Sequence, residues 1–393
     1  MLLINRVDMK IVHVGFSPVT DGWTYQDNLL PKYHVRLGHQ VWFITGQWVW
    51  GDSGKLKHFS ESNYFNNDAV RMIRLATKRN ISYTSKFRRF EKLYNTIHEI
   101  DPDILFIHGC QFLDIDVLVR YIRSNPNLTI YVDNHADFSN SARNWLSRNV
   151  LHKIIWKHYA QLILPYTRKY FGVLPARVDF LRDVYKIPNE KIELLVMGAD
   201  DDLVYKALDP SVKTELRKKF NISQDDFLIM TGGKIDMAKY QTLLLMQAVQ
   251  EIKNDKVKLI VFGSVVEELQ DKVSALVDGK RVQYIGWIDA DESLNYFAAS
   301  DLVVFPGRHS VFWEQVVALG KPIIAKYWEG TTHIDIGGNC IFFDGNSVEE
   351  IRNNILNVYN NPSKLHLMRK VAEEKGMKTF SYARIAEKSI DFK

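Results

Sequence analysis

The segment with the most chemistry in it is Thr231–Tyr240, TGGKIDMAKY. An apolar run, Phe227 to Thr231, reads as a strand directly before it, and a helix is expected from about Gln241. Gly232 and Gly233 permit a tight turn and close backbone approach. Lys234 and Lys239 then place two cations at one strand end. Held there, two ammonium groups can stabilise a departing group that gains negative charge, such as a diphosphate, without a metal ion. The same residues also fit a glycine turn carrying two solvated lysines.

A second segment, Phe305–Pro322 (FPGRHSVFWEQVVALGKP), has the same layout of strand, glycine loop and helix. The helix is expected from Ser310, whose hydroxyl suits an N-cap, and free amides at that end suit a diphosphate. Glu314 and Gln315 fall in its first turns, where a carboxylate or amide can accept hydrogen bonds from ribose hydroxyls. Glu314 alternatively complements the helix dipole. In VDNHADF, Asp133, His135 and Asp137 follow another strand. A strand-end histidine among carboxylates favours a functional over a structural role for His135, and His108, after ILFI, is the weaker candidate. The pairs Asp101/Asp103, Asp114/Asp116 and Asp289/Asp291 could hold a divalent cation. The last two have helix-start contexts that favour capping, and the first precedes its strand. No HExxH, Gly-x-Ser-x-Gly or Walker A sequence is present.

Positioning these groups requires strands that alternate with helices. Lys10 to Val14, Gln40 to Thr45, Ile104 to His108, Thr129 to Val132 and Gln161 to Pro165 are strand candidates in the first half. Helices are expected at Tyr25 to Leu37, Phe87 to Ile100 and Leu146 to Tyr159. A second series runs through Phe227 to Thr231, Lys258 to Phe262, Val282 to Ile285, Leu302 to Phe305, Pro322 to Ala325 and Cys340 to Phe343. Continuous apolar strands between helices indicate parallel sheets covered on both faces, with ligands outside the carboxyl ends of the strands. Met197 to Asp202 is the expected linker.

The 393 residues suit two domains. Two cysteines, Cys110 and Cys340, fit a reducing compartment and exclude a disulfide scaffold. No apolar run reaches membrane-span length, and the N-terminus lacks a signal-peptide pattern and reads as a short leader. A cytoplasmic location is expected. A net charge of +5 is too mild for a nucleic-acid binder. Between Arg71 and Lys92, however, eight basic residues stand against Glu91 alone. They form either a solvated face or a patch for an anionic partner. Arg88 and Arg89, flanked by Phe87 and Phe90, suit an acceptor or an anionic membrane surface on the inner face of the cell membrane.

Taken together, these segments resemble the family-4 glycosyltransferases. Gly233, Lys234 and Ile235 stand where that family has a Gly-Arg-Leu turn, and Lys239 stands at its following lysine. YIGWI (Tyr284–Ile288) resembles the loop that cups the donor base, DLVVFP (Asp301–Pro306) the strand before the donor loop, and ALGKP (Ala318–Pro322) its Ala-x-Gly-x-Pro ending. LGHQV (Leu37–Val41) and LVMGAD (Leu195–Asp200) resemble the Gly-His turn and the interdomain segment, with Met197 replacing a proline. The family's paired Glu motif departs here: its second Glu falls on Gln315, and its first has no match, leaving His309, Ser310 or Glu314 to take those contacts.

The resemblance implies a GT-B fold, two Rossmann-like domains facing across a cleft, with boundaries at 1–200 (acceptor) and 201–393 (nucleotide-sugar), the last helix returning to the first domain. It implies a retaining, metal-free transfer from a nucleotide-diphosphate sugar to a saccharide or lipid-linked acceptor, in bacterial surface polysaccharide biosynthesis. Lys234, Lys239 and His135 take catalytic roles, His135 at the reacting sugar with its loop facing Arg308 to Gln315. Gly22, Gly233, Trp287, His309, Ser310, Glu314 and Gln315 bind the donor. Gly22 belongs to DGWTYQDN, which meets donor phosphates or acceptor. The rivals are a sugar-nucleotide epimerase of the same fold, a non-catalytic sugar-nucleotide-binding partner and a dehydrogenase. GFSPVTDG after the first strand lacks the Gly-x-Gly-x-x-Gly that the last requires.

Overall fold

The computed structural model describes residues 8–51, 55–78, 86–344 and 347–390. The chain divides into two compact units, Met1–Val196 with Ile385–Lys393, and Met197–Arg384. The division falls at the start of the expected linker. Within that segment Asp200 accepts a hydrogen bond from the Asp202 amide and so caps the helix Asp201–Ala207.

The N-terminal unit contains β1 (Lys10–Gly15), β2 (Gln40–Gly46), β3 (Trp48–Trp50), β4 (Leu56–His58), β5 (Asn63–Phe65), β6 (Arg71–Leu75), β7 (Ile104–His108), β8 (Thr129–Asn134), β9 (Thr167–Gly172) and β10 (Ile192–Leu194). Eight of these form one sheet in the order β10-β9-β8-β7-β1-β2-β6-β5, parallel except for the β5–β6 pair. β3 and β4 pair separately. The C-terminal unit contains β11 (Phe227–Gly232), β12 (Val257–Phe262), β13 (Val282–Tyr284), β14 (Leu302–Phe305), β15 (Ile323–Lys326) and β16 (Cys340–Phe343), ordered β13-β12-β11-β14-β15-β16 and all parallel.

The central strands are buried end to end, as in Ile104–His108, which is why they read as unbroken apolar runs. In each sheet the chain starts in the middle, builds one side, then returns to build the other. Strand order therefore reverses between β1 and β7 in one unit and between β11 and β14 in the other. These are the points where an open α/β sheet leaves a crevice at its strand ends.

Gln161 to Pro165 is no strand. Its first three residues continue the helix Lys157–Ile163, and the strand is Thr167–Gly172. A short apolar run carries no period that separates the two states. The expected helix Leu146 to Tyr159 is a π-helix over Ser147–Trp156. The helix expected from Phe87 begins only at Leu93, and Arg71–Leu75 is strand β6.

Candidate active site

In the C-terminal unit the site is built by glycines at the carboxyl ends of β11 and β12. Gly233 and Gly263 have φ of +119° and +124°, and a Cβ on Gly263 would lie 2.0 Å from the Gly233 carbonyl oxygen. Only glycine permits that approach. The chain then runs beside β12, pairing Ile235 with Val265. Asp236 accepts from the Ala238 amide at 2.9 Å and caps a 3-10 turn, Met237–Lys239. That turn returns Lys239 to the strand ends. Its Nζ reaches within 3.8 Å of where a Gly233 Cβ would stand, and its methylenes cover Gly307 after β14. The expected helix follows at Gln241–Glu251.

A small depression lies between these strand ends, and Gly233, Lys234, Lys239, Gly307, Arg308 and Ser310 line it. Lys234 is exposed. Burial lowers the pKa of the Lys239 ammonium, against the attraction of Asp236. An anion arriving beside it would favour the charged form again. Three cations thus surround a glycine floor at the β11/β14 switch point, an arrangement suited to an anion.

Glu314 and Gln315 do not reach the surface: their residues are 0% and 1% exposed. The ribose contact expected of them is therefore not presented. The two follow on the buried side of the helix Phe312–Ala318. Glu314 Oε1 instead lies 2.8 Å from both His309 Nε2 and His333 Nε2. Burial alone would raise the Glu314 pKa, but the two imidazoles outweigh it and hold it at about 2. An ionised Glu314 makes both Nε2–H groups donors and fixes the ring of His309 beside Arg308 and Ser310. Ser310 is not the N-cap. The helix begins at Phe312, with Val311 at that position and no side-chain cap. Trp287, 63% exposed, stands beyond β13 on the wall of a separate depression with Phe220 and Tyr296. Sequence reasoning missed His333. His333 lies in a 3-10 turn, Thr332–Ile334, well past the end of β15, and only the fold brings it to Glu314.

In the N-terminal unit His135 directly follows β8, and its Nε2 lies 3.3 Å from Asp133 Oδ2. His108, at the end of β7, is 2.9 Å from the same oxygen and 3.2 Å from Asp27. His13 and His34 stand behind it, and burial lowers the pKa of both, that of His34 to about 3. Asp137 pairs with Arg177 and caps the Ser139 turn. Gly22 has φ of +80° in an exposed turn. Nearby, Trp23, Tyr25, Asp27 and Trp50 wall a further depression.

The basic stretch does not form one patch. Arg74 is 2% exposed inside β6 and donates to Tyr64 Oη and the carbonyls of Gly46 and Val19. Arg89 forks onto Asp116 at 2.7 Å and also meets Asp114, so those two aspartates serve an arginine rather than a cation site. Arg88 donates to the Phe16 carbonyl and lies 4.1 Å over the Phe16 ring. Arg88 and Arg89, expected to meet an acceptor or membrane, are thus engaged within the chain. Lys78, Lys86 and Lys92 remain exposed. Arg79 and the leader before Asp8 lie outside the described residues. Among the described residues no helix is long and apolar enough to cross a membrane.

Two Rossmann-like units, each a largely parallel sheet with its polar cluster at a switch point, define the GT-B class of fold. Residues 212–375, within the C-terminal unit, match the family model described as Glycosyl transferases group 1. An uncharacterized glycosyltransferase of Methanocaldococcus jannaschii is 20% identical over 156 residues, 38% of this chain and 40% of that protein. The chain thus matches about 40% of the length of this curated relative. A glycosyltransferase from Rickettsia africae superposes with a TM-score of 0.71 at 15% identity, over 99% of this chain and 100% of that one. Anabaena HepE in complex with UDP gives 0.69 at 15% identity, over 97% and 98%. At such identity the likeness is one of fold.

Proposed function

We propose that the chain is a retaining glycosyltransferase that moves a sugar from a nucleotide-diphosphate donor to a saccharide or lipid-linked acceptor in surface polysaccharide biosynthesis. One observation carries the reading: Lys234, Lys239 and Arg308 surround a glycine-built depression at the switch point of the C-terminal sheet. As the glycosidic bond breaks, the diphosphate gains negative charge. Fixed cations at that position stabilise the transition state more than the ground state, which is what acceleration requires. No bridging metal ion is needed at the diphosphate. His309, held by Glu314, lies next to Arg308 and Ser310 and takes the sugar or phosphate contacts that the family gives to its first Glu. On the acceptor side, the rings of Trp23, Tyr25 and Trp50 offer flat apolar faces with Asp27 beside them, suited to a saccharide. His135 keeps the role the resemblance gives it, at the reacting sugar.

A thermal-shift screen over nucleoside diphosphates and their sugars tests this, because a ligand of the folded state alone raises apparent stability. At 100 times Kd one base is expected to raise Tm by roughly 5 to 10 °C, in chelator as well as in buffer. No shift with any nucleoside diphosphate, or a shift only with divalent ions, would end the reading.

A further inference from the structure

One stretch of the N-terminal unit displays cations and bare apolar side chains with no acid among them. From Phe138 to Val178 the sequence holds seven lysines and arginines and no aspartate or glutamate. Its π-helix, Ser147–Trp156, runs on into the α-helix Lys157–Ile163. A π-helix bonds each residue to the fifth along rather than the fourth, so side chains four to five residues apart share a face. Ser147, His152, Trp156 and Ala160 recur at that spacing and are buried, the last two in the hydrophobic core. Trp145, Asn149, Ile154 and His158 recur at it on the outer side.

That outer side is apolar where water should favour polar groups. Trp145, Leu146 and Ile154 are 72%, 60% and 62% exposed. Arg143, Arg148 and Lys153 are exposed among them. Arg148 lies 4.5 Å over the exposed Phe138 ring, and Lys153 donates to Asn149. Lys86 and Phe87 come up beside the same helix. Phe87 stacks on Trp156, and burial, with the Lys86 charge second, lowers the His152 pKa to about 4. On the helix Pro175–Asp183, whose Phe180 meets Phe138 edge-on, Asp179 and Asp183 both lie against Arg182.

We propose that the face built by Trp145, Leu146 and Ile154 with Arg143, Arg148 and Lys153 docks on an anionic lipid surface. Charge selects this occupant. A second copy presenting the same face would set cations against cations, whereas a layer of lipid phosphates attracts them. The indole and the two aliphatic chains suit the boundary between headgroups and acyl chains. The attachment is shallow and reversible. The helix follows β8, so Trp145 and Leu146 stand at the same end of the sheet as His135 and the Trp23/Tyr25/Trp50 depression. Docking brings that end of the unit to the lipid, where a lipid-linked acceptor would be met. The lipid contact expected of Arg88 and Arg89 thus passes to another element, and it stands apart from the donor reading.

The test is co-sedimentation of the full chain with vesicles of phosphatidylcholine alone and of phosphatidylcholine mixed with phosphatidylglycerol. Each is run at about 0.1 M and about 1 M salt, between which the Debye length falls from about 10 to about 3 Å. Binding is expected to the anionic vesicles only, and to weaken at least about 10-fold at the higher salt. Arg143→Glu with Lys153→Glu should weaken it by about 25-fold or more, since each cation near such a surface contributes about 5-fold. Trp145→Ser with Ile154→Ser should weaken it about 10-fold or more. All four side chains are exposed, so these variants are expected to keep the fold. Trp145 emission should shift to the blue on docking, a change absent from Trp145→Phe. No binding to anionic vesicles at the lower salt, equal binding to neutral ones, or binding unchanged in either double variant overturns the proposal. Dimers that form without vesicles and are lost in the Trp145/Ile154 variant would give the face to a second copy instead.

Discussion

Lys239→Ala is expected to lower sugar transfer about 100-fold in kcat, the scale on which a single preorganised donor to a developing anion acts. The expectation follows from position. Lys239 is carried back by the Asp236-capped turn to lie between Gly233 and Gly307, over the depression and partly out of water. A charge held in such a place is stronger than one in solvent and needs no reorganisation when the diphosphate departs. Lys234, at the exposed edge, is expected to contribute in the same direction. Steady-state transfer with each variant checks this, and unchanged rates in both would remove the lysines from the chemistry. Lys239→Arg separates charge from shape: the guanidinium keeps the charge but not the compact ammonium geometry, so partial recovery is expected.

The second large effect is on stability. The Glu314 carboxyl lies near pKa 2, against an ordinary 4.5. A carboxyl with a depressed pKa contributes stability that is fully present above its unfolded value and is lost as pH falls from about 4.5 through about 2. The shift corresponds to about 3 kcal/mol at neutral pH. Glu314→Gln should therefore unfold at lower denaturant by about that amount at pH 7. The gap should narrow to roughly half at pH 3. Urea unfolding of both proteins at the two pH values measures it. An equal gap at both would mean that the carboxylate charge is not what stabilises the His309–Glu314–His333 group.

Much of the proposed diphosphate site was legible because it is local. Two glycines after an apolar run, and a lysine at each end of the following turn, sit close in the chain, and the parallel-sheet rule puts them at a strand end. The Glu314 network was not legible, since it needs His333 from the loop after β15 to meet a helix after β14. Still less so was the row in which His108, His13, His34 and Ser389 each stand within hydrogen-bond distance of the next. His13 lies inside an apolar strand, His34 on a helix and Ser389 near the far end of the chain, and only the β1–β7 register and the return of the last residues to the first unit join them. The basic stretch misled for a physical reason. Counting charges along the chain takes no account of the burial of Arg74 within β6 or of the carboxylates that claim Arg89. Gln161 to Pro165 misled because a run as short as Leu162–Leu164 looks alike on a helix and in a strand.

The measurement that bears most directly on the central claim is calorimetric titration of the responding nucleoside diphosphate into the wild-type chain and Lys239→Ala, both in chelator. The predicted result is stoichiometric binding by the wild-type chain without divalent ions, weakened at least about 10-fold in the variant, as loss of a charge-assisted contact of 1.5–3 kcal/mol implies. Binding that requires a divalent ion, or that is equally tight in the two proteins, would contradict a diphosphate site built from the side chains around Gly233.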